Sequence, residues 1–475
     1  MQAKYFKRAA IFVILGWCIA CKKQVLVDYQ SIPADSVHLS IDPTQPGLLT
    51  PPNFTGLSFE TALLPEADLS EDNTVLIRLF KLLSTQGLIR VGGSSVDNIF
   101  WTNTPRNNSK NVDSLYTDDV AHLFGFAKAT GWKVIFGLNL AQSTPSKAAE
   151  EAGYIIKTAA DSPYLDAFEI GNEPDQYVTL GLRPTGYSYT DFQKEWNNFY
   201  TTIHAAVPAA TFAGPATASE LTWLLPFIGE EQSRLKMATH HYYRMGPPSS
   251  STVTVTRLLT PDDNLLTELT EAVAASRGAG IPFRMDECNS VYDGGKKGVS
   301  NTFASALWGL DYMFNVAQSG AAGVNFHGGS TEYYTPITID NTAPVAEPLF
   351  YGMLCFQLGS QGRFIPTILS NPNNLNMTAY AVLSTNGKIF LTVINKNSTT
   401  NANITLHNGT PISEASYVTL TASSLTATSG VALGGHSIKS DGTFTTPTFT
   451  PITQFVSGDV LITVPAASAM VIELH

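Results

Sequence analysis

Apolar and polar positions between residues 54 and 358 alternate as short apolar runs and longer amphipathic segments. Most runs are rich in Val, Ile, Leu or Phe, which is typical of strands buried on both faces. Strands that alternate with helices predict parallel βαβ units, and eight such units predict a closed (β/α)8 TIM barrel, an α/β fold. The eight runs are Phe54–Glu60, Leu88–Gly93, Lys133–Leu140, Asp166–Pro174, Ala210–Ala216, Met237–Tyr243, Pro282–Asn289 and Gly323–Gly328.

The pattern changes after about residue 359, where charged residues become rarer and Ser, Thr, Asn and Gly more frequent. Tyr380–Ser384 and Ile389–Ile394 flank Asn386-Gly387, a pair that favours a tight β-hairpin. Val37–Ile41, ahead of the barrel, alternates like a strand. We therefore expect a smaller β-sandwich domain built from N- and C-terminal segments. The expected division is 25–50 for its N-terminal strand or strands, 51–358 for the barrel and 359–475 for the remaining sandwich.

The first twenty residues have the pattern of an export signal. Three basic residues among the first eight precede an apolar run, Ala9–Trp17, that is too short to span a bilayer as a helix. The segment Cys18–Cys21 resembles a bacterial lipoprotein signal in which Cys21 is lipidated, and a plain secretory cut near Ala20 is the alternative. Either form predicts a signal peptide at 1–20 and a periplasmic, outer-membrane-anchored or extracellular protein.

Composition and charge exclude several partners. Charged residues make up 14% of the 475 positions, and 28 Lys and Arg against 39 Asp and Glu give a net charge of −11. With no basic run, nucleic-acid binding is excluded, and long, densely charged polyanions are disfavoured. After signal removal, Cys288 and Cys355 are the cysteines certain to remain, which makes neither a disulfide framework nor a zinc pattern. We expect no cofactor and no metal.

Two Glu residues stand at the ends of predicted barrel strands, where active sites of such barrels lie. The fourth run ends in Asn172-Glu173-Pro174, and Glu287 lies near the end of the seventh. Taken alone, the first is equally a strand end before a turn, and Glu287 could be a surface carboxylate or the partner of Arg284. Together they supply the two carboxyl groups that cleavage of a glycosidic bond requires.

The motif Gly171-Asn172-Glu173-Pro174 together with Glu287 resembles the clan A retaining glycoside hydrolases. More narrowly, the whole mature chain resembles glycoside hydrolase family 79, the heparanase/β-glucuronidase family, and is most similar to its bacterial exo-acting β-glucuronidases. The narrower resemblance rests on Leu57–Glu60, Ile89–Ser94, Phe168–Pro174, His240–Tyr243, and Glu287 followed by Tyr292 and the pair Gly294-Gly295.

This resemblance implies roles for the residues around the two carboxyl groups. Glu173 would be the general acid/base and Glu287 the nucleophile, while Asn172 would hold the 2-hydroxyl of the sugar. By the same resemblance, the first Tyr of the His240–Tyr243 run, Tyr242, would donate a hydrogen bond to the nucleophile, and strand alternation lets only one of Tyr242 and Tyr243 face the pocket. His240 shares the face of Tyr242, with a core histidine as the alternative. Arg90, inside the second strand, would support Glu287 or balance another buried acid.

Further residues are implied to bind the sugar. Glu60 aligns with a carboxylate that grips sugar hydroxyls, and Gly93 and Ser94 would let the backbone and a hydroxyl approach the ligand, with a salt-bridged strand end and a tight loop as alternatives. The glucuronate carboxylate would be held after the seventh and eighth strands. The candidates for that role are Tyr292, Gly294, Gly295 and Tyr334, with a plain turn as the alternative.

The expected function is that of a retaining, exo-acting β-glucuronidase that releases terminal β-linked glucuronic acid from glycosides or oligosaccharides by double displacement. The acidic chain lacks the basic clusters that sulfated polymers require, so heparan sulfate is disfavoured. We expect a monomer of one uncleaved chain. The alternatives are a clan A retaining exo-glycosidase for neutral sugars, such as a β-glucosidase or β-xylosidase, and a non-catalytic carbohydrate-binding surface lipoprotein.

Overall fold

The computed structural model describes residues 36–104, 113–160, 163–219, 221–340 and 343–475. The expected signal peptide 1–20, the candidate lipidation site Cys21 and the beginning of the expected segment 25–50 lie outside the described residues. In the described part of the chain, no helix combines the length and the apolarity that crossing a membrane requires.

Eight parallel strands form a closed barrel, which confirms the predicted α/β architecture. Each strand pairs with the next along the chain, and the eighth pairs with the first. Their side chains are almost all buried, as the continuous apolar runs predicted. From first to eighth, the barrel strands are Thr55–Glu60, Leu88–Gly92, Lys133–Leu138, Leu165–Ile170, Phe212–Thr217, Leu235–Met245, Phe283–Val291 and Gly323–His327.

A helix follows each barrel strand and packs its apolar side against the barrel. The first of these begins where the side chain of Asn73 accepts a hydrogen bond from the backbone N–H of Leu76 at 3.2 Å, which satisfies one free donor of the first turn. The eight helices are Thr74–Leu83, Thr117–Thr130, Pro145–Ala160, Tyr189–Ala206, Leu221–Glu231, Asp263–Ala279, Phe303–Ser319 and Pro348–Gly359. Shorter helical turns are Thr61–Glu66, Ser94–Asn98, Pro174–Gln176 and Val255–Leu258.

Two further sheets form the sandwich. Val37–Ile41 lies in the five-stranded sheet, antiparallel to Thr367–Ser370 and parallel to Ala402–His407. The other strands of that sheet are Phe455–Val456 and Asp459–Val464. The second sheet contains Arg363–Ile365, Met377–Leu383, Ile389–Asn395, Ala415–Thr421, Ala432–Leu433, Thr450–Pro451 and Ser468–Leu474. Buried aliphatic side chains from both sheets fill the space between them, so the sandwich is built from both ends of the described chain.

The predicted hairpin is present, and its sheet also covers the barrel. Met377–Leu383 pairs antiparallel with Ile389–Asn395, and Gly387 in the turn adopts a φ of 85°, which favours glycine. On the face toward the barrel helices, the rings of Tyr380 and Phe314 stack with centroids 4.7 Å apart. The second sheet is therefore buried on both faces, once by the other sheet and once by the barrel.

Two small ribbons complete the described elements. Phe100–Trp101 pairs with Ser114–Leu115 after the second barrel strand, and Ile337–Thr338 pairs with Val345–Ala346 after the eighth. Both ribbons lie in loops that leave the carboxyl ends of barrel strands, the end where Glu173 and Glu287 are found.

Candidate active site

The structure brings Glu173 and Glu287 together at the carboxyl end of the barrel. Glu173 follows the fourth strand with a φ of 50°, and Glu287 lies in the seventh strand. One carboxylate oxygen of each lies within 4.8 Å of the other. Two carboxyl groups at this separation can act on the same bond.

A guanidinium, two histidines and a phenol surround Glu287. Tyr243 donates its hydroxyl to one carboxylate oxygen at 2.8 Å, and Arg90 contacts the other at 2.5 Å. Burial acts to raise the pKa of Glu287, but its neighbours outweigh burial and hold that pKa well below its usual range. These neighbours are His327, His241, Arg90 and the Tyr243 hydroxyl. Glu287 is therefore ionised at neutral pH.

Glu173 has the opposite electrostatic character. Burial raises its pKa, and the negative charge of Glu287 raises it further, whereas His241 acts to lower it. The Nδ1 atom of His241 lies 2.8 Å from the Glu173 carboxylate. One carboxyl group is thus biased toward the protonated form and the other toward the ionised form, which is the division of roles that acid-assisted bond cleavage uses.

The tyrosine that contacts Glu287 is Tyr243, one position after the Tyr242 that was expected there. Tyr243 faces the barrel interior, whereas Tyr242 points outward and donates its hydroxyl to Asp262 at 2.5 Å. The prediction that Tyr242 contacts the nucleophile is therefore wrong, because the inner face of the sixth strand carries odd-numbered residues. For the same reason the predicted neighbour His240 contacts Thr217 at 2.8 Å, and His241 takes the inward position.

Arg90 links three groups at the barrel centre. Its guanidinium, which is completely buried, donates to Glu169 at 2.9 Å, to Glu287 at 2.5 Å and to the side-chain oxygen of Asn172 at 2.8 Å. Arg90 thus contacts Glu287 and also a second buried acid, Glu169. Arg284, considered as a partner of Glu287, instead donates to Asn325 at 2.6 Å.

Asn172 is fixed from two sides. Arg90 holds its side-chain oxygen, and its backbone N–H donates to Asp97 at 3.2 Å. Asp97 also accepts the hydroxyl of Tyr177 at 2.7 Å and the backbone N–H of Leu140 at 3.0 Å. Burial raises the pKa of Asp97 to about 6, although these hydrogen bonds act to lower it. Asp97 thus joins the loops after the second, third and fourth strands.

Glu60 holds the loop after the second strand. Its carboxylate accepts the backbone N–H groups of Ser94 at 3.1 Å and Ser95 at 2.8 Å, and the Ser95 hydroxyl as well. Gly93 has a φ of 68°, and a Cβ there would lie 2.4 Å from this carboxylate. The structure thus brings Glu60, Gly93 and Ser94 together, with part of the Glu60 hydrogen-bonding capacity already occupied.

The loops after the seventh and eighth strands meet beside Tyr243. The ring of Tyr334, almost buried, lies 6.1 Å from that of Tyr243, and the ring of Tyr292 lies 6.4 Å from it on the more exposed side. Gly294 accepts the backbone N–H of Tyr333 at 2.7 Å. A Cβ on Gly295, whose φ is 83°, would lie 2.7 Å from the Tyr334 nitrogen. The four residues expected to hold a carboxylate are thus in one place.

Three residues of the site were missed by the sequence reasoning. His241 contacts Glu173, and His327 lies 3.4 Å from Glu60 and 3.6 Å from Glu287. Asp286 lies beside Glu287 inside the barrel and is completely buried. Two of them could have been found from the sequence, because each is a polar residue within or at the end of an apolar run. His327 ends the eighth strand, and Asp286 interrupts the seventh.

Among the described residues, Glu173, His241 and Glu287 form a group whose donor atoms could reach one metal ion. However, Arg90 places a fixed positive charge 2.5 Å from Glu287. That charge disfavours a cation at the same position, so these groups are better suited to proton and glycosyl transfer.

Residues 53–313, more than half of the chain, match the model for glycosyl hydrolase family 79, N-terminal domain. The chain belongs to glycoside hydrolase family 79. The paired carboxyl groups of the barrel are the candidate catalytic residues of this family 79 member.

Two relatives agree with this assignment, and a solved structure shares the fold. A β-glucuronidase of Aspergillus niger is 27% identical over 63% of this chain and 63% of its own length, and one of Neurospora crassa is 24% identical over 69% and 67%. The matched region thus spans about two thirds of the length of these relatives. A 4-O-α-L-rhamnosyl-β-D-glucuronidase from Fusarium oxysporum 12S has a TM-score of 0.72 at 17% identity, covering 91% of this chain and 99% of that one. This structural likeness shows the shared fold.

Proposed function

We propose that this family 79 glycosidase is a retaining, exo-acting β-glucuronidase. The observation that carries the proposal is the pair Glu173 and Glu287, with oxygens within 4.8 Å and pKa values shifted in opposite directions. Retaining enzymes have carboxyl groups about 5–5.5 Å apart, whereas inverting enzymes need about 6.5–9.5 Å to admit a water molecule. The β-glucuronidase activity named for two relatives supports the choice of sugar.

The proposed reaction has two steps. In the first, the Glu287 carboxylate attacks the anomeric carbon while Glu173 gives its proton to the leaving oxygen, so the glycosidic bond breaks as the glycosyl–Glu287 ester forms. In the second, Glu173 removes a proton from water, and the resulting attack on the anomeric carbon frees Glu287. Glucuronic acid leaves with the β-configuration of the substrate, and both carboxyl groups return to their starting protonation states.

The proposed sugar contacts use the residues already described. Asn172, held by Arg90, is oriented to bind the 2-hydroxyl, a contact that strengthens in the transition state. The glucuronate carboxylate would accept hydrogen bonds from Tyr334, Tyr292 and the backbone N–H groups of Gly294 and Gly295. They lie beside Tyr243, in loops whose left-handed glycines let the backbone come close to a ligand.

Hydrolysis of p-nitrophenyl β-glucuronide, compared with the matching β-glucoside and β-xyloside, tests the proposed sugar. We expect strong preference for the glucuronide, because the neutral sugars lack the carboxylate. Preference for a neutral sugar would keep the carboxyl pair but reject the contacts of Tyr334 and Tyr292. Binding of glucuronides without turnover would reject catalysis and favour a carbohydrate-binding protein.

The nucleophile is tested by replacing Glu287 with Ala. We expect turnover of the β-glucuronide to be abolished and azide to restore it, because azide fits the vacated space and attacks the anomeric carbon from the same side. The product would be a glycosyl azide, which mass spectrometry identifies. Glu173→Ala serves as the comparison, and undiminished activity of Glu287→Ala would reject the assignment.

We further propose that the chain is exported and anchored through a lipid on Cys21, as its N-terminal pattern predicts. Expression in a bacterial host with labelled palmitate tests this directly. We expect the label on the wild-type chain and on Cys18→Ala, and no label on Cys21→Ala. Secretion of an unlabelled wild-type chain would favour the signal cut near Ala20 instead.

A further inference from the structure

Asp286 occupies an irregular position in the seventh barrel strand. Met285 pairs with His240 of the sixth strand and Glu287 pairs with His241, so Asp286 is an extra residue with no partner there. Such a bulge lets two consecutive side chains turn to the same face. Asp286 and Glu287 accordingly both lie in the barrel interior, although strict alternation would have sent one of them outward.

The surroundings of Asp286 supply no hydrogen-bond donor to a carboxylate. Both of its oxygens are buried, and no N–H or O–H group of the described residues reaches them within hydrogen-bonding distance. The Nε atom of Arg90 is 3.8 Å from one oxygen and the Nε2 atom of His241 is 3.7 Å from the other. An ionised Asp286 would therefore be a buried charge without a bonded partner, which is strongly unfavourable.

The carboxyl groups of Glu169 and Asp286 interact directly. Arg90 and Thr239 already donate to Glu169, at 2.9 Å and 2.7 Å, so Glu169 carries the negative charge of this pair. Two buried carboxyl groups side by side hold one proton between them. Burial and the charge of Glu169 both raise the pKa of Asp286, while Arg90 acts to lower it. Two further charged side chains act on Asp286: Glu287, which also raises its pKa, and Arg284.

We propose that Asp286 works as an uncharged carboxylic acid that positions Glu169 and His241. Its O–H donates to Glu169, and its carbonyl oxygen faces the Nε2 atom of His241, which has no other hydrogen-bonding partner among the described residues. The other ring nitrogen of His241 contacts Glu173 at 2.8 Å, so Asp286 acts on the acid/base through this ring. This inference rests on the proposed roles of Glu173 and Glu287.

The absence of charge has a second consequence at Arg90. An ionised Asp286 would compete with Glu287 for the guanidinium, because both lie beside the same Arg90 side chain. A neutral Asp286 leaves that positive charge to Glu169 and Glu287. The residue is thus a positioning residue, which keeps the nucleophile ionised without contacting the substrate.

Asp286→Asn and Asp286→Ala distinguish this role from that of a carboxylate. The amide of Asn can donate to Glu169 and present a carbonyl oxygen to His241, so we expect it to keep kcat/KM within about threefold of the wild type on a phenyl β-glycoside. Ala loses these contacts, and we expect a loss of about 10- to 100-fold, the equivalent of one hydrogen bond to a charged group. Cys288→Ala is the control, since Cys288 is buried on the same strand but faces Tyr312.

The dependence of kcat/KM on the leaving group distinguishes this positioning role from a purely structural one. Asp286→Ala should lose more activity on the phenyl glycoside than on the p-nitrophenyl glycoside, because only the poorer leaving group depends strongly on the acid Glu173. Equal losses on both substrates, or activity of Asp286→Ala equal to that of the wild type, would overturn the proposal. So would a loss in Asp286→Asn as large as in Asp286→Ala.

Infrared spectroscopy tests the protonation state without relying on activity. We expect the wild type at neutral pH to show the band of a protonated carboxylic acid that Asp286→Asn lacks. Absence of a band difference would overturn the proposal even if Asp286→Ala did not fold. A wild type that cleaves none of the glycosides would reject the proposed function, and the infrared result would still decide the state of Asp286.

Discussion

The inner face of the sixth barrel strand decides which side chains reach the two carboxyl groups. His241 and Tyr243 point inward, so the acid/base candidate Glu173 and the nucleophile candidate Glu287 each receive one contact from the same strand. Tyr242 lies between them in sequence but has its hydroxyl on Asp262, outside the barrel. Adjacent tyrosines of the same size therefore have separable roles.

Removal of the Tyr243 hydroxyl should weaken catalysis, whereas removal of the Tyr242 hydroxyl should not. Tyr243→Phe loses a hydrogen bond to a charged carboxylate, which is worth about 1.5–3 kcal/mol, so we expect kcat/KM to fall by about 10- to 100-fold. Tyr242→Phe is the matched control. Steady-state hydrolysis of p-nitrophenyl β-glucuronide measures both, and equal effects would contradict the orientation of the strand.

The opposite pKa shifts of the carboxyl pair predict the pH dependence of the reaction. Since the pKa of Glu173 is raised above its ordinary value of 4.5, the protonated acid is present below that raised pKa and is lost as the pH rises through it. We expect kcat/KM on a phenyl glycoside to fall along this alkaline limb. Glu173→Gln should lose about 10²- to 10⁴-fold activity and also lose the limb. If the Glu173→Gln variant kept an alkaline limb at the same pH, that limb would have to arise from another group.

At the scale of elements, the site depends on connections between loops. Asp97, in the short helix Ser94–Asn98, accepts hydrogen bonds from the loop after the third strand and from Asn172 and Tyr177 after the fourth. The segments beside Glu173 are thereby joined to one carboxylate. Because every donor points at Asp97, its replacement affects several loops together.

Asp97→Asn should lower the free energy of unfolding by about 1–3 kcal/mol, because the amide N–H₂ cannot accept and leaves buried donors unsatisfied. Urea denaturation measures the change. Asp175→Asn is a suitable comparison, since Asp175 accepts two backbone N–H groups, from Ala218 and Ser219, in a more exposed loop. An Asp97→Asn variant as stable as the wild type would show that water replaces the lost acceptor.

The repeating elements could be predicted from the sequence, and the irregular ones could not. Most barrel strands are apolar runs that alternate with helical segments, so all eight were predicted, and the carboxyl-end rule then selected Glu173 and Glu287. The prediction of which residues of the sixth strand face inward was wrong, because the register of this strand against both neighbours contains irregular positions. The edge strand Thr367–Ser370 was missed, since it is short and follows Pro366.

At the scale of the whole molecule, the strand Val37–Ile41 connects the beginning of the described chain to the sandwich. Leu39 is completely buried between the two sheets, whereas His38 beside it is exposed. The strand has a neighbour on each side, one antiparallel and one parallel. Its apolar face therefore closes part of the sandwich core.

Leu39→Ala should lower the free energy of unfolding by about 2–5 kcal/mol, because it leaves a cavity in a packed core. His38→Ala, on the exposed face of the same strand, should change it by less than about 0.5 kcal/mol. Urea denaturation followed by tryptophan fluorescence measures both variants. If the two variants had equal effects, the strand would not be packed in the register described.

The position of Val37–Ile41 also sets an order of events during synthesis. The strand leaves the ribosome before the barrel, but its two neighbours follow about 325 and about 360 residues later, after the entire barrel sequence. Its apolar side chains therefore remain without their packing partners while the barrel strands and helices are being synthesised. The sandwich is therefore the last part of the molecule that can close, and a factor that shields this strand would act during that interval.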